Sequence, residues 1–94
     1  MATASLNGVV VAESDATVVV EGNHYFPPQS IRREFFEEAS NQSVCPWKGT
    51  ASYYSVVVDG ARAEGAAWYY PEPNDAAAKI RDHVAFWGDV VVEA

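Results

Sequence analysis

The block Cys45-Pro46-Trp47-Lys48-Gly49 brings a thiol, an indole, a cation and a glycine together within one short stretch. Cys45 is the only cysteine of the chain. A thiol attacks as its thiolate, and a neighbouring cation such as Lys48 favours that form. Cys45 and Lys48 are therefore the candidates for any catalytic role. No base of the histidine type lies near Cys45, since His24 and His83 are the only histidines and both are distant in sequence. A free cysteine is also commonly just a small buried apolar residue. Lys48 has a second use, which is to bind a carboxylate or a phosphate. The plain alternative is a surface charge or an ion pair with one of the thirteen acids.

Aromatic residues crowd the C-terminal half: Trp47, Tyr53, Tyr54, Trp68, Tyr69, Tyr70, Phe86 and Trp87. Rings lining a concavity stack planar ligands or cage cations, whereas the same rings in a small domain can simply fill the core. Adjacent Tyr53-Tyr54 and Tyr69-Tyr70 project to opposite faces of a strand, so both sheet faces carry rings. We expect a ligand site at Trp47, Lys48, Tyr54, Trp68 and Tyr70, with Tyr54 and Trp68 on one sheet face. Its ligand is expected to be small and planar or anionic. The acids Glu13 with Asp15, and Glu37 with Glu38, read as solvated surface. One cysteine excludes an intramolecular disulfide and a cysteine-rich zinc site. No phosphate-cradling P-loop is present. Neither a metal nor a cofactor is expected.

These side chains need a scaffold, and the apolar composition points to strands. Valine occurs fourteen times, leucine once and isoleucine twice. Valine is stiff at χ1 and suits a pleated surface. Its blocks, separated by polar and turn residues, read as short strands. The pattern predicts a hairpin of 8–13 with 17–21 and a short extended piece at 24–26. A helix is predicted over 28–39, with Ile31, Phe35 and Ala39 on one face. Strands 50–58 and 62–70 should pair about the turn Asp59-Gly60. A short helix is expected from 74 or 75 to 81, and a last hairpin of 84–87 with 90–93. The fold class is mainly β, a single compact domain with one or two short helices. At 94 residues one domain is the natural count, as domains usually run about 100–150 residues.

Six Lys plus Arg against thirteen Asp plus Glu give a net charge of −7. That argues against nucleic acids and anionic membranes as partners, because both require positive potential. The apolar runs are far too short for a membrane-spanning helix. The first residues lack the basic and apolar regions of a signal peptide, so a reducing cytoplasm is the expected location.

Five segments together form a signature: Val20-Glu21-Gly22-Asn23-His24-Tyr25-Phe26-Pro27-Pro28, Cys45-Pro46-Trp47-Lys48-Gly49, Ala51-Ser52-Tyr53-Tyr54, Ala67-Trp68-Tyr69-Tyr70-Pro71-Glu72-Pro73 and Val84-Ala85-Phe86-Trp87. Their order and spacing resemble the family called domain of unknown function 427, over nearly the whole chain. The resemblance implies a compact, mainly β domain with a bent, tent-like antiparallel sheet, similar to sheets that carry zinc in other families. Those families use paired Cys-x-x-Cys motifs, which this chain lacks, so zinc is not carried over. The family also bears a nucleotidyltransferase label. Nucleotidyl transfer wants Mg²⁺ held by carboxylates and amides that cradle phosphate, and the sequence offers neither. The expected function is small-molecule binding in an aromatic pocket with a lysine, with or without a reaction. The alternative is a protein interaction module, and nucleotidyl transfer ranks below both.

Overall fold

The computed structural model describes residues 1–94 and contains nine strands, three short 3₁₀ helices and no α-helix. The strands are β1 (Ala2–Leu6), β2 (Val9–Ser14), β3 (Val18–Val20), β4 (Asn23–Tyr25), β5 (Phe36–Cys45), β6 (Gly49–Val58), β7 (Ala61–Tyr69), β8 (Val84–Phe86) and β9 (Val91–Glu93). They form three antiparallel sheets, ordered β2-β1-β9, β3-β4 and β5-β6-β7-β8. The fold is a mainly β single domain, in agreement with the valine-rich composition. No helix is long and apolar enough to cross a membrane.

The β6–β7 hairpin forms as expected. Asp59 (φ 44°) and Gly60 (φ 84°) both adopt left-handed backbone, as a tight two-residue hairpin turn requires. The 3₁₀ helix Asp75–Ile80 stands where a short helix is expected, broken at Ala77 (φ −118°, ψ 19°).

Three expectations are overturned. Residues 28–39 are not one helix but two 3₁₀ turns, Pro28–Ser30 and Arg33–Phe35, followed by β5. Ile31 bridges Ala12 instead of joining a helical stripe. Phe36 packs edge-on against Tyr54 at 5.5 Å and lies 6.0 Å from Phe86. A ladder of eight residue pairs with β6, interrupted between Ala39 and Gln42, and this aromatic contact outweigh a modest helical pattern, because tertiary pairing overrides local propensity. The hairpin of 8–13 with 17–21 does not form either. β2 pairs with β1 about Asn7-Gly8, and β3 pairs with β4 about Glu21-Gly22. All four of these turn residues have φ between 53° and 81°. The N-terminal strand β1 buries only small or single apolar residues, Ala2, Ala4 and Leu6, which hides its period of two. Last, 84–87 and 90–93 do not pair with each other: β8 joins β7 and β9 joins β1.

The four-stranded sheet has a core on each face. On one side Tyr54, Val56, Val58, Ala63 and Ala67 meet Val11, Phe26, Val84 and Phe86. On the other, Ala51, Tyr70 and Ala85 meet Val20, Tyr25, Ala77 and Ile80, with Tyr53, Trp68 and Cys45 partly buried against them. Each fully buried side chain of valine or phenylalanine size contributes about 1.5–3 kcal/mol. Tyr25, Tyr53, Trp68 and Tyr70 of this second, smaller group also line a cavity.

Candidate functional site

Cys45 pairs with Gly49 at the end of the β5–β6 ladder, leaving Pro46-Trp47-Lys48 as the loop. Gly49 has φ 115°, and a Cβ there would sit 3.4 Å from the backbone of both Glu72 and Asn74. The loop is pinned against that segment. The Asn74 N–H donates to the Lys48 carbonyl at 2.9 Å, and the Asn74 side-chain amide donates to the Pro46 carbonyl at 3.4 Å. Held this way, Lys48 turns inward. It is 6% exposed, and the only other buried polar residue is Ser55.

The Lys48 ammonium donates to the carboxylate of Glu21. It also lies 5.2 Å from the Trp47 ring centroid and 5.8 Å from that of Tyr70, within cation–π range. Glu21 is the first left-handed residue of the β3–β4 turn, at φ 54°. The Trp47 indole N–H donates to its second oxygen at 3.3 Å. Hydrogen bonds from Lys48 and then Trp47 hold the Glu21 carboxyl below its ordinary range. Burial alone would pull the Lys48 ammonium down, but its bond to Glu21 leaves it above the ordinary lysine value. Lys48 therefore presents a positive charge at this point.

Beside this ion pair opens a cavity of about 280 Å³, lined by Asn23, Tyr25, Lys48, Tyr53, Trp68, Tyr70 and Trp87. Tyr53 on β6 stands directly opposite Trp68 on β7. Trp68 meets Tyr25 edge-on at 6.2 Å, and its indole N–H donates to the Tyr25 hydroxyl at 3.2 Å. The Tyr53 hydroxyl bonds Ser43 Oγ at 2.8 Å. Trp87 is 59% exposed, yet its indole N–H is tied to the Gly65 carbonyl at 2.8 Å. Burial pushes the Tyr70 phenol up to about 12, so it stays a neutral donor at physiological pH. Hydrogen bonds thus tie the rings of Tyr53, Tyr25, Trp68 and Trp87 in place.

Of the residues singled out in sequence, Lys48, Trp68 and Tyr70 converge on this cavity. Trp47 stands at its edge, against Lys48 and Glu21, without lining it. Tyr54 is not part of it. Since Tyr53 is the residue paired with Trp68, Tyr54 pairs with Ala67 and points to the other face. There it stacks on Tyr69 at 4.5 Å and accepts a hydrogen bond from Arg33 at 3.4 Å. Cys45 is partly buried beside the Tyr25–Tyr70 cluster, and no imidazole serves it. His24 bonds Thr17 at 2.9 Å and His83 bonds the Arg81 carbonyl at 2.8 Å.

Glu21, Asn23, Tyr25, Tyr53 and Trp87 belong to the site without having been singled out as its members. Gly22 marks a break beside Glu21 in the sequence, but the partner of that acid lies 27 residues away. A second cavity of about 360 Å³ is lined by Gly49 and Pro71, with Gln42, Thr50, Ser52, Glu72 and Asn74 giving it polar walls and no aromatic ring. No three His, Cys, Asp or Glu side chains come together as a metal-binding group.

No curated protein is found to match the chain. The model of the family described as a domain of unknown function (DUF427), which carries a nucleotidyltransferase label, matches residues 2–94. Its span takes in every residue of the cavity and of the Glu21–Lys48 pair. The chain belongs to the DUF427 family.

Proposed function

We propose that the domain binds a small planar molecule, carrying an anionic or strongly accepting group, in the cavity between Tyr53, Trp68 and Trp87. The observation that carries this reading is the inward-turned ammonium of Lys48, 6% exposed, at the wall of an aromatic concavity. A charge is costly to bury unless it is paired, the pair here is completed by a half-exposed Glu21, and in a partly dry site the ammonium attracts an anion more strongly than a surface lysine does. Ligand pockets usually measure about 300–1,000 Å³, so a cavity of about 280 Å³ suits a molecule of one or two rings. Asn23 and the phenols supply polar contacts around the rings. With a net charge of −7, the chain is better suited to a small anion held locally than to a nucleic acid. A reducing, cytoplasmic setting fits a half-buried Cys45 with no partner sulfur.

A protein-docking role is the second reading, favoured by the exposure of Trp47 (40%) and Trp87 (59%) at the rim. The concave shape and the buried cation weigh towards a ligand. Nucleotidyl transfer would need carboxylates gathered for a divalent ion, and neither a cluster of three such ligands nor a carboxylate in the lining of the cavity supports it.

A thermal-shift screen against a metabolite library tests the proposal. A ligand at a hundred times its Kd should raise stability by about 2.7 kcal/mol. The hit should lose its effect in Trp68→Ala. A library that protects nothing, or a hit indifferent to Trp68→Ala, would count against the site.

A further inference from the structure

We infer that Glu21 holds the place of the ligand's own acid group: the cavity takes a planar monocarboxylate, and its carboxylate displaces Glu21 from Lys48. This rests on the reading of the cavity as a ligand site.

The two partners of the ion pair are unequally anchored. The side chain of Lys48 is 8% exposed and that of Glu21 is 53% exposed. Glu21 sits at a turn tip, and a Cβ added to its neighbour Gly22 would meet nothing within 4 Å. The lysine is built into the wall, whereas the carboxylate reaches it from a turn in open space. Swinging Glu21 out gives up the 3.3 Å hydrogen bond from Trp47 but little packing.

Several protons around the cavity have no acceptor. An ammonium offers three N–H bonds, and only one acceptor, Glu21, is engaged by Lys48. The Tyr25 hydroxyl accepts from Trp68, which leaves its own proton free to donate. Tyr70 is 5% exposed, and its hydroxyl makes no side-chain hydrogen bond. No fully buried polar atom lacks a partner, so that hydroxyl meets open space, and the space Tyr70 lines is the cavity. An acceptor ligand satisfies these protons.

The acceptor already seated on Lys48 is a carboxylate. A ligand carboxylate exchanges like for like in charge and geometry. A phosphate ester brings further negative charge against a single cation, with the released Glu21 still nearby. Neither a glycine-rich loop nor a second lysine or arginine lines the cavity to offset it. A cationic ligand would face Lys48 directly.

The test is calorimetric titration of the full chain with 2-naphthoate, 2-naphthyl phosphate and neutral 2-naphthamide. Parent, Glu21→Gln and Glu21→Asp are compared, the last shortening the acid while keeping its charge. The naphthoate should bind the parent more tightly than the other two probes. Glu21→Gln should tighten naphthoate about tenfold, or about 1.4 kcal/mol, and leave naphthamide unchanged. Glu21→Asp should shift in the same direction by less, and it decides the matter if Glu21→Gln does not fold. Naphthoate binding that is equal or weaker in the Glu21 variants overturns the displacement while leaving the cavity a ligand site. Tighter binding of the phosphate overturns the ligand class. If no probe binds either the parent or the variants, the displacement and the ligand-site reading fall together.

Discussion

The ammonium of Lys48 and the carboxylate of Glu21 meet across 27 residues and tie the β5–β6 loop to the β3–β4 turn. Lys48 in that loop and Asn23 just after that turn both line the aromatic cavity. The pair makes stability depend on pH at both ends of the scale. The Glu21 carboxyl is lowered from 4.5, so its contribution is present above that value and is lost as pH falls through the lower folded value. The Lys48 ammonium is raised from 10.5, so its contribution is full below that value and is lost as pH rises through the higher folded value. The difference in Tm between the parent and Glu21→Gln should therefore be constant from about pH 5 to 10 and shrink outside that window. A difference that does not change with pH would show that the pair is not electrostatically coupled.

Tyr53 and Tyr54 should separate binding from folding. Tyr54 lies between Tyr69 and Phe36 in the larger core, so Tyr54→Ala should cost about 3–5 kcal/mol in denaturant unfolding. Tyr53→Ala should cost clearly less, and it should weaken a stacked ligand by about 0.5–1.5 kcal/mol. The reverse pattern would mean that the two faces of β6 have been exchanged.

Gly49 fixes the direction of Lys48. Alanine at φ 115°, with its Cβ 3.4 Å from two backbone atoms, should destabilise the domain by about 1–3 kcal/mol. Fluorescence of Trp47 and Trp68 should report a loosened loop in the same variant. Unchanged stability and fluorescence would mean that the loop adapts without strain.

Cys45 should be dispensable. Its thiol has no histidine partner, and Cys45→Ser should bind the ligand as the parent does, at a folding cost of at most about 1–2 kcal/mol. Native Cys45 should react with an alkylating agent no faster than a free thiol at neutral pH. Alkylation many times faster would restore the nucleophile.

How much of this could be read from the sequence depends on range. The β6–β7 hairpin was legible because Asp59-Gly60 and the flanking valines state it locally. Strand β5 was not: as an edge strand it is exposed over most of its length, so Glu37 and Glu38 mimic a helix's solvent side while Ala39 falls in step with Ile31 and Phe35. The inward turn of Lys48 could be anticipated from its motif, but Glu21 could not, since nothing local links residues so far apart. The exchange of Tyr54 for Tyr53 has a simpler cause. Side chains alternate along a strand, so an error of one residue in the pairing register moves a ring to the opposite face.

The most direct measurement is calorimetric titration of the best ligand from the metabolite screen into the parent, Lys48→Met and Tyr54→Phe. If the cavity and its cation form the binding site, Lys48→Met should lose about 1.5–3 kcal/mol of binding, the range for a hydrogen bond to a charged group. Tyr54→Phe should bind as the parent does. Equal affinity for the parent and Lys48→Met would contradict the account.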